Sequence, residues 1–190
     1  MGSSASHAIG ENLLEEYTEL TYLKKAEIQY IWKRFYAMDP DQVSRNPACL
    51  LPVYLLEEYL LPQLKVNPFR ERLYDVFFPR RDQDGGIYFS FEDLLDMCSA
   101  LSPECPDKVK AMWAFNVFDF NNNNHIDKED LTYVIDKLTQ KQLSPQEKQK
   151  IIEGILKEVD LGKSGDISER EFVHAVIKMP DFATCFQLKV

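Results

Sequence analysis

The sequence lacks several features that would place it in a membrane or a secretory pathway. It has no run of 18 or more apolar residues, the length that a membrane-spanning helix requires. Its first residues are small and polar, so no signal peptide is predicted. The four cysteines, Cys49, Cys98, Cys105 and Cys185, form no CxxC pair, and a chain of this length does not need disulfides. We interpret them as reduced thiols in a cytoplasmic protein.

The chain also lacks an excess of basic residues and any catalytic motif. A net charge of -9 argues against nucleic-acid binding, which needs a basic face, and it suits a protein that gathers carboxylates around cations. There is no phosphate-binding loop and no GxSxG motif. The three histidines, His7, His125 and His174, have no nucleophile or carboxylate at a telling spacing. We therefore expect a protein that is not an enzyme.

What the sequence does contain is helical periodicity, which predicts an all-α fold. With 190 residues, 45% of them apolar, the chain suits one compact unit or two small lobes. The segment 102–106, with two prolines, is the clearest break. We place the boundary between two lobes there, at 11–104 and 105–179. A flexible N-terminus at 1–10 precedes them and a tail at 180–190 follows. The predicted helices cover 11–20, 24–38, 68–77, a segment after Ser90, 107–118, 128–138, 145–159 and a segment ending near Met179.

Residues 119–130 (the Asp119 loop) match the twelve-residue loop of an EF-hand, whose oxygen ligands come from positions 1, 3, 5, 7, 9 and 12. Asn124 replaces the usual glycine at position 6, and asparagine tolerates positive φ better than most residues. Asp130 replaces the usual glutamate at position 12, and its shorter side chain suits six-coordinate Mg²⁺ better than Ca²⁺. The predicted ligands are Asp119, Asn121, Asn123, the backbone carbonyl of His125, Asp127 and Asp130.

Residues 160–171 (the Asp160 loop) begin 41 residues later and form a second match, between predicted helices like the first. Gly162 at position 3 offers no side-chain oxygen, so a water would substitute there. This loop brings fewer charged ligands to a cation, which predicts weaker binding. Ile126 and Ile167 occupy position 8 of the two loops, where they let the loops pair. The predicted ligands are Asp160, Ser164, the backbone carbonyl of Asp166, Ser168 and Glu171.

Because EF-hands pair, two further hands are expected in the first lobe. One has its loop at 82–93, where Gly86, Ile87 and Tyr88 stand at positions 5 to 7 in an order that does not suit a ligand loop. The other follows Met38 and offers no convincing ligand series. We predict that both are structural and hold no metal. The expected fold is an all-α EF-hand protein with four helix-loop-helix units in two lobes.

Two blank hands followed by two ligand-bearing hands resemble the calcium and integrin-binding protein family. An aspartate at position 12 of the third hand is also a feature of that family, associated with a mixed magnesium and calcium site. Gly162 departs from the family pattern, which has an acid at that position. The segments that carry the likeness are LEEY at 14–17, VNPFRER at 66–72, FSFED at 89–93, AF at 114–115, FDFN at 118–121 and PDF at 180–182.

The resemblance implies a regulatory adaptor that uses Ca²⁺ and Mg²⁺. Family members bind short helical segments, such as integrin cytoplasmic tails, kinases and mechanotransduction channel subunits, in a hydrophobic groove of the C-terminal lobe. In the family, the C-terminal tail occupies part of this groove. Here Phe182, Phe186 and Val190 recur at four-residue steps and form one apolar face, which fits either a displaceable tail or permanent core. Candidate groove residues are Trp113, Val117, Val134, Leu138, Ile152, Ile155, Leu156, Phe172 and Val176.

The N-terminus fits the myristoylation pattern M-G-x-x-x-[ST], with Gly2 as the acceptor. Family members carry this modification, so the resemblance supports it. One acyl chain anchors a protein only weakly, and no polybasic run adjoins it. We expect weak, reversible association with the inner face of the plasma membrane.

Two other functions stay open on the sequence alone. A calcium buffer without a dedicated partner would need neither groove nor tail, and it would favour tighter sites. A regulatory subunit of a phosphatase-like enzyme, similar to the calcineurin B subunit, would generally have four ligand-bearing loops, whereas two are blank here.

Overall fold

Helices dominate residues 8–187, the part of the chain that the structure, a computed structural model, describes. These residues form two compact units. The first comprises the described residues up to Cys105 together with Gln187, and the second comprises Pro106–Phe186. The predicted tail residues 180–186 therefore belong to the second unit. Within the described part, no helix has the length and apolar character that crossing a lipid bilayer requires. The all-α EF-hand fold predicted from the sequence is confirmed.

The first unit combines six helices and one short 3-10 turn with a small sheet, counted over its described residues. Its antiparallel strands lie in the order β1-β3-β2, with Leu51 opposite Phe89 and Arg81 opposite Ile87. The elements are α1 Glu11–Leu20, α2 Lys25–Met38, α3 Pro40–Arg45, β1 Leu51–Pro52, α4 Tyr54–Tyr59, the 3-10 turn Pro62–Val66, α5 Arg70–Phe77, β2 Arg80–Arg81, β3 Ile87–Phe89 and α6 Phe91–Ala100.

Aromatic side chains make up the centre of this unit. Phe35 lies 5.5 Å from Phe91 and 6.0 Å from Phe89, measured between ring centroids, and Phe78 lies 5.3 Å from Phe89. All four rings are fully buried or nearly so. Burying one such side chain contributes about 1.5–3 kcal/mol, so this cluster is a major source of stability for the unit.

The second hand departs from an EF-hand loop more than the sequence predicted. Its entering helix, α5, ends at Phe77, so sixteen residues run from the capping residue Phe78 to Asp93, four more than in the Asp119 loop. The additional residues form the β2–β3 hairpin, whose turn is closed by hydrogen bonds from Gly86 to Asp82 and from Asp82 to Gly86. The predicted loop start at residue 82 is therefore wrong, because that residue lies inside a hairpin.

An arginine stands beside the last carboxylate of this hand. Asp93 is the third residue of α6 and accepts the backbone N–H of Ser90, as in the capping box that the sequence predicted. The guanidinium of Arg80 forms an ion pair with the same carboxylate. A side-chain cation thus supplies positive charge at the position where an EF-hand places its last metal ligand.

One further expectation for the first unit needs correction. Helix α5 begins at Arg70 and not at Pro68, because the Asn67 side chain accepts the N–H of Phe69 and holds that stretch in a turn. In the first hand, the six residues of α3 form part of the segment between Met38 and α4. Leu56 stands third in α4, the place of the last ligand, and it is fully buried.

The second unit contains five helices and one two-stranded sheet, counted over its described residues. Ser144 caps α9 through a box with Glu147, as the sequence predicted. Helix α10 ends at Val176, earlier than predicted. Residues 177–179 continue as a tighter turn before Pro180, since a proline disfavours helical geometry in the residue before it. The elements are α7 Asp107–Phe118, β4 His125–Ile126, α8 Lys128–Thr139, α9 Pro145–Val159, β5 Ile167–Ser168, α10 Glu169–Val176 and α11 Phe182–Cys185.

The core of this unit draws residues from α7 to α10 and from both strands. Phe115 and Phe118 of α7 each meet Phe172 edge-on, at centroid distances of 5.8 and 5.9 Å. Leu143, Ile155, Leu156, Val159, Phe182 and Phe186 are partly buried against the core. The fully buried residues are Ala111, Ala114, Phe115, Ile126, Leu131, Ile135, Ile152, Ile167, Phe172, Val173 and Val176.

The cysteines give a direct test of these packing assignments. Cys49, Cys98 and Cys105 are buried, whereas Cys185 in α11 is exposed. Burial raises the pKa of the Cys98 thiol to about 12, so very little of the reactive thiolate forms near neutral pH. We expect one of the four thiols to react rapidly with Ellman's reagent in the native protein and all four to react after denaturation.

The matched pair for this test is Cys185→Ser and Cys105→Ser. The first substitution should abolish the rapid phase, and the second should leave it unchanged. Two rapid thiols in the native protein would contradict the burial described here.

Candidate metal-binding site

The two ligand-bearing loops pair through a short antiparallel ladder. Ile126 of the Asp119 loop lies opposite Ile167 of the Asp160 loop, and His125 lies opposite Ser168. Both isoleucines are almost completely buried, which gives the two loops a common apolar contact. The ladder therefore ties the geometry of one loop to that of the other.

Both loops adopt the same backbone pattern. Positions 4 and 6 of each loop have left-handed φ angles. In the Asp119 loop these are 55° at Asn122 and 65° at Asn124, and in the Asp160 loop they are 56° at Lys163 and 93° at Gly165. Asn124 thus takes the conformation that a glycine usually supplies at position 6. This turn points successive backbone N–H groups at the first carboxylate. Asp119 accepts N–H groups from Asn123 and Asn124 at 3.1 and 2.9 Å, and Asp160 accepts those of Ser164 and Gly165 at 3.0 and 2.8 Å.

The polar side chains of the Asp119 loop converge on one another. The side-chain amides of Asn121 and Asn123 both donate to the same oxygen of Asp127, at 3.1 Å each. Burial alone would raise the pKa of Asp127, but these amides and the N–H groups of Asp130 and Glu129 hold that pKa below its usual value. The predicted ligands at positions 3, 5 and 9 are therefore brought together, around a carboxylate that stays ionised.

Asp130 closes the Asp119 loop. One of its oxygens accepts the N–H of Phe120 at 2.9 Å, and the other accepts the N–H of Asp127 at 3.1 Å. The residue is almost fully buried, and desolvation raises the pKa of its carboxyl, with a further contribution from the negative charges of Asp127 and Asp119. A cation bound in this loop would favour the ionised form of Asp130.

Glu171 closes the Asp160 loop in the same way with a longer side chain. It accepts the N–H of Gly162 at 2.8 Å and the N–H and hydroxyl of Ser168 at 3.0 and 2.6 Å. The hydroxyl hydrogen bond from Ser168, followed by the backbone N–H groups, lowers the pKa of Glu171 to about 2. Its carboxylate is therefore charged at every pH at which the protein would be used.

Neutral groups occupy much of the remaining Asp160 loop. The Ser164 hydroxyl donates to the Asp166 carboxylate at 2.8 Å, and position 3 is Gly162. A Cβ added to Gly162 would lie 3.4 Å from a Glu171 oxygen, so the space at position 3 is already close to that carboxylate. The two carboxylates predicted as ligands here are those of Asp160 and Glu171, against three in the Asp119 loop.

The donor set fits a hard cation in both loops, more fully in the Asp119 loop. In the described part of the chain, no group of three or more His, Cys, Asp or Glu side chains is arranged to hold a metal. The Asp119 loop instead relies on mixed amide and carboxylate oxygens, the ligands that Ca²⁺ and Mg²⁺ take. Rotation of either asparagine amide would exchange the nitrogen that faces Asp127 for an oxygen. Asp119, Asn121, Asn123, Asp127, Asp130 and the His125 carbonyl would then hold the ion.

A contact between the loops was not predicted from the sequence. The Nδ1 atom of His125 lies 3.3 Å from a carboxylate oxygen of Asp166. Both residues stand at position 7, where the backbone carbonyl is the predicted ligand and the side chain is available for another contact. Because the two loops pair through β4 and β5, the presence of a histidine and an aspartate at position 7 of the respective loops is the sequence signal for this contact.

An apolar pocket of about 210 Å³ lies beside the paired loops in the second unit. Four predicted groove residues, Val134, Ile155, Phe172 and Val176, line it. The other predicted groove residues do not line the pocket. Ile152 is buried in the core, Leu156 packs against that core, and Leu138 is exposed. Trp113 and Val117 lie elsewhere on α7. Pocket residues absent from the prediction are Phe118, Ile126, Leu131, Val159, Ile167, Ala175 and Met179.

The predicted tail contacts the same core. Phe182 and Phe186 pack against the buried cluster that contains Leu131, Phe172 and Val176, and their rings stack at 6.1 Å. Val190 and Gly2, the other predicted partner-binding and lipidation residues, lie outside the described residues.

Comparison with known proteins agrees with this geometry. The family model for an EF-hand domain pair matches residues 108–177, which contain both loops. Over 186 residues the chain is 33% identical to calcium and integrin-binding family member 2 of Drosophila melanogaster, covering 95% of each protein. The chain belongs to the calcium and integrin-binding protein family. The human family members 2 and 3 are each 32% identical, with 95% of both chains covered for member 2, and 93% of this chain and 94% of the relative for member 3.

Family membership and the EF-hand pair identify a calcium-binding regulatory protein. The relatives' names describe binding to calcium and integrin, and none names an enzymatic activity. The resemblance predicted from sequence motifs is therefore confirmed at the level of the family.

Removing one ligand at a time should separate the two loops. We expect Asp119→Ala to abolish the tighter binding event in calorimetric titrations with Ca²⁺ and Mg²⁺, because it removes a ligand and leaves two N–H groups without their acceptor. Glu171→Ala should weaken only the weaker event.

Glu129→Gln is the matched control, because it removes one negative charge from an exposed position of the Asp119 loop that is not a predicted ligand. Circular dichroism of each variant checks that the helices persist. Intact magnesium binding in Asp119→Ala would show that the ranking of the loops is wrong.

Proposed function

We propose that this protein is a regulatory adaptor that binds Ca²⁺ and Mg²⁺ and holds a helical segment of a partner in its second unit. The observation that carries the proposal is the pocket beside the loops, which is lined by apolar residues alone. The chain's own tail packs against the same hydrophobic core. A surface of this kind suits an amphipathic helix inserting a few apolar side chains.

The metal loops and the pocket share structural elements. Ile126 and Ile167 belong to the loops and also line the pocket. Leu131 and Phe172 each follow directly after the twelfth position of a loop, where Asp130 and Glu171 cap the exiting helix. A change in loop geometry on binding a cation is thus transmitted to the pocket wall, which supports metal control of partner binding.

The partner is proposed from the pocket's chemistry and from the relatives' names. An apolar pocket with no charged wall selects a helix whose anchors are aliphatic or aromatic. The relatives are named for integrin binding, and this supports an integrin cytoplasmic tail as the first candidate. A kinase segment or a mechanotransduction channel subunit would present the same type of helix.

The alternatives have less support. A calcium buffer would require no pocket and no tail packed on it, and both are present. A phosphatase-like regulatory subunit would generally bring four ligand-bearing loops, whereas the first unit has Leu56 and an arginine-paired Asp93 at the last-ligand positions.

Removing the tail's contacts tests whether it competes with the partner. We expect Phe182→Ala combined with Phe186→Ala to tighten binding of a helical integrin-tail peptide by at least about fivefold, because the tail no longer occupies part of the core surface. Fluorescence anisotropy of a labelled peptide measures the affinity.

Thr184→Ala is the control, since this exposed tail residue is not part of the cluster. If the tail were permanent core, the double variant would lose thermal stability and show no gain in affinity. The same titration with EDTA tests regulation, and equal peptide affinity with and without metal would contradict it.

The choice of cation is proposed to depend on Asp130. Lengthening this side chain should allow a second oxygen to reach the ion, which suits the larger coordination number of Ca²⁺. We expect Asp130→Glu to raise the ratio of Ca²⁺ to Mg²⁺ affinity by about tenfold or more in calorimetry. The reciprocal variant, Glu171→Asp, should lower that ratio for the Asp160 loop, and no change in either would refute the role given to side-chain length.

Myristoylation of Gly2 and weak, reversible association with the inner face of the plasma membrane stay predictions. Mass spectrometry of the protein from cells tests the modification, and an unmodified Gly2 would contradict the prediction of myristoylation.

A further inference from the structure

A second concave surface lies on the second unit, separate from the apolar pocket. It is a groove of about 610 Å³ that runs beside α10 and reaches the start of α7 and the beginning of the Asp160 loop. It shares no lining residue with the apolar pocket. This surface, called the basic groove below, is lined by Lys108, Leu161, Ser168, Arg170, Glu171, Val173, His174 and Ile177.

The groove combines an apolar floor with a cationic rim. Val173 is buried, while Leu161 and Ile177 are 65% and 44% exposed, so the groove presents apolar surface to solvent. Lys108 and Arg170 stand at the rim, and neither makes an ion pair or a side-chain hydrogen bond within the described part of the chain.

A further cation adjoins this rim. The ammonium of Lys178 lies 2.7 Å from Nε2 of His174, so the imidazole accepts there and directs its other nitrogen elsewhere. The remaining ionisable residue of the lining is Glu171, whose carboxylate is already engaged by Gly162 and Ser168. Lys108, Arg170 and Lys178 stand against the one carboxylate of Glu171, and this local excess of positive charge in a chain of net charge -9 suits an anion.

We infer that the basic groove binds an anionic single-chain amphiphile, with its phosphate between Lys108 and Arg170 and its hydrocarbon chain on Leu161, Val173 and Ile177. The volume lies within the range of small-ligand sites, about 300–1,000 Å³, and such sites are mostly apolar with a few placed polar groups.

The groove and the apolar pocket are therefore assigned different occupants. The inference does not rest on the proposed partner helix, because the two sites have separate linings. Since Glu171 would repel an anion when no cation is bound in the Asp160 loop, the test is made in saturating Mg²⁺.

The experiment is calorimetric titration of the full chain with lysophosphatidylglycerol below its critical micelle concentration. We expect saturable one-to-one binding. Lysophosphatidylcholine with the same acyl chain should bind at least about tenfold more weakly, and glycerol phosphate should bind too weakly to measure. Lys108→Gln and Arg170→Gln should each weaken binding about threefold and together about tenfold, the range for exposed charge contacts.

Lys150→Gln is the matched control, because Lys150 is an exposed lysine of α9 outside the groove. Ile177→Asn tests the apolar floor at an exposed position, so the fold should persist, and it should weaken the lipid without changing Mg²⁺ affinity. Excess integrin-tail peptide should leave the one-to-one stoichiometry of lipid binding unchanged, because the two linings share no residue.

Several results would overturn the inference. Equal binding of the zwitterionic lipid, unchanged affinity in the double variant, or equal loss in Lys150→Gln would each remove the phosphate site. Binding to anionic vesicles alone would assign the surface to a membrane, and capture of an acidic peptide with no lysolipid binding would assign it to a protein.

Discussion

The carboxylate at the twelfth position of each loop is the constraint on which the rest of the second unit depends. The carboxylate of Asp130 accepts the backbone N–H groups of Phe120 and Asp127, at positions 2 and 9 of its loop. The carboxylate of Glu171 accepts those of Gly162 and Ser168, at positions 3 and 9. One side chain thereby closes the loop and caps the exiting helix. Hydrogen bonds to a charged group contribute about 1.5–3 kcal/mol each, so these carboxylates define the loop before any cation is considered. The same groups are the last predicted ligands, so metal binding has to act through contacts that already hold the fold.

The second hand of the first unit closes on the same kind of carboxylate and places an arginine beside it. Asp93 caps α6 as Asp130 caps α8, but the guanidinium of Arg80 neutralises it from the β2–β3 hairpin. The sequence predicted that this hand was blank and that Ser90 capped the following helix. The predicted loop at 82–93 has the twelve residues of an EF-hand loop, whereas sixteen residues run from the end of α5 to Asp93. The Gly85-Gly86 pair, a hairpin signal between two short extended runs, marks the insertion.

What could be predicted in the second unit follows from local chemistry. Loop positions, the left-handed asparagine at 124, the Ile126–Ile167 pair and the cap at Ser144 each depend on a few neighbouring residues, so spacing alone identified them. The division of apolar residues between core and pocket could not be predicted. Ile152 and Ile155 lie three residues apart on α9 with similar side chains, and only the packing of the other helices decides which of the two is covered.

Helix α10 links the chemistry of the Asp160 loop to two surfaces at once. It begins with the Ser168–Glu171 cap, which fixes its direction from the loop. On one face Phe172 and Val176 line the apolar pocket, and on another Val173 and His174 line the basic groove, with Ile177 directly after the end of the helix. The eight residues of α10 form one continuous helix. A rotation of α10 that changes the pocket must therefore change the groove. Occupants of the two surfaces would be coupled to each other, and each to the Asp160 loop, by a single rigid element whose position all three influence.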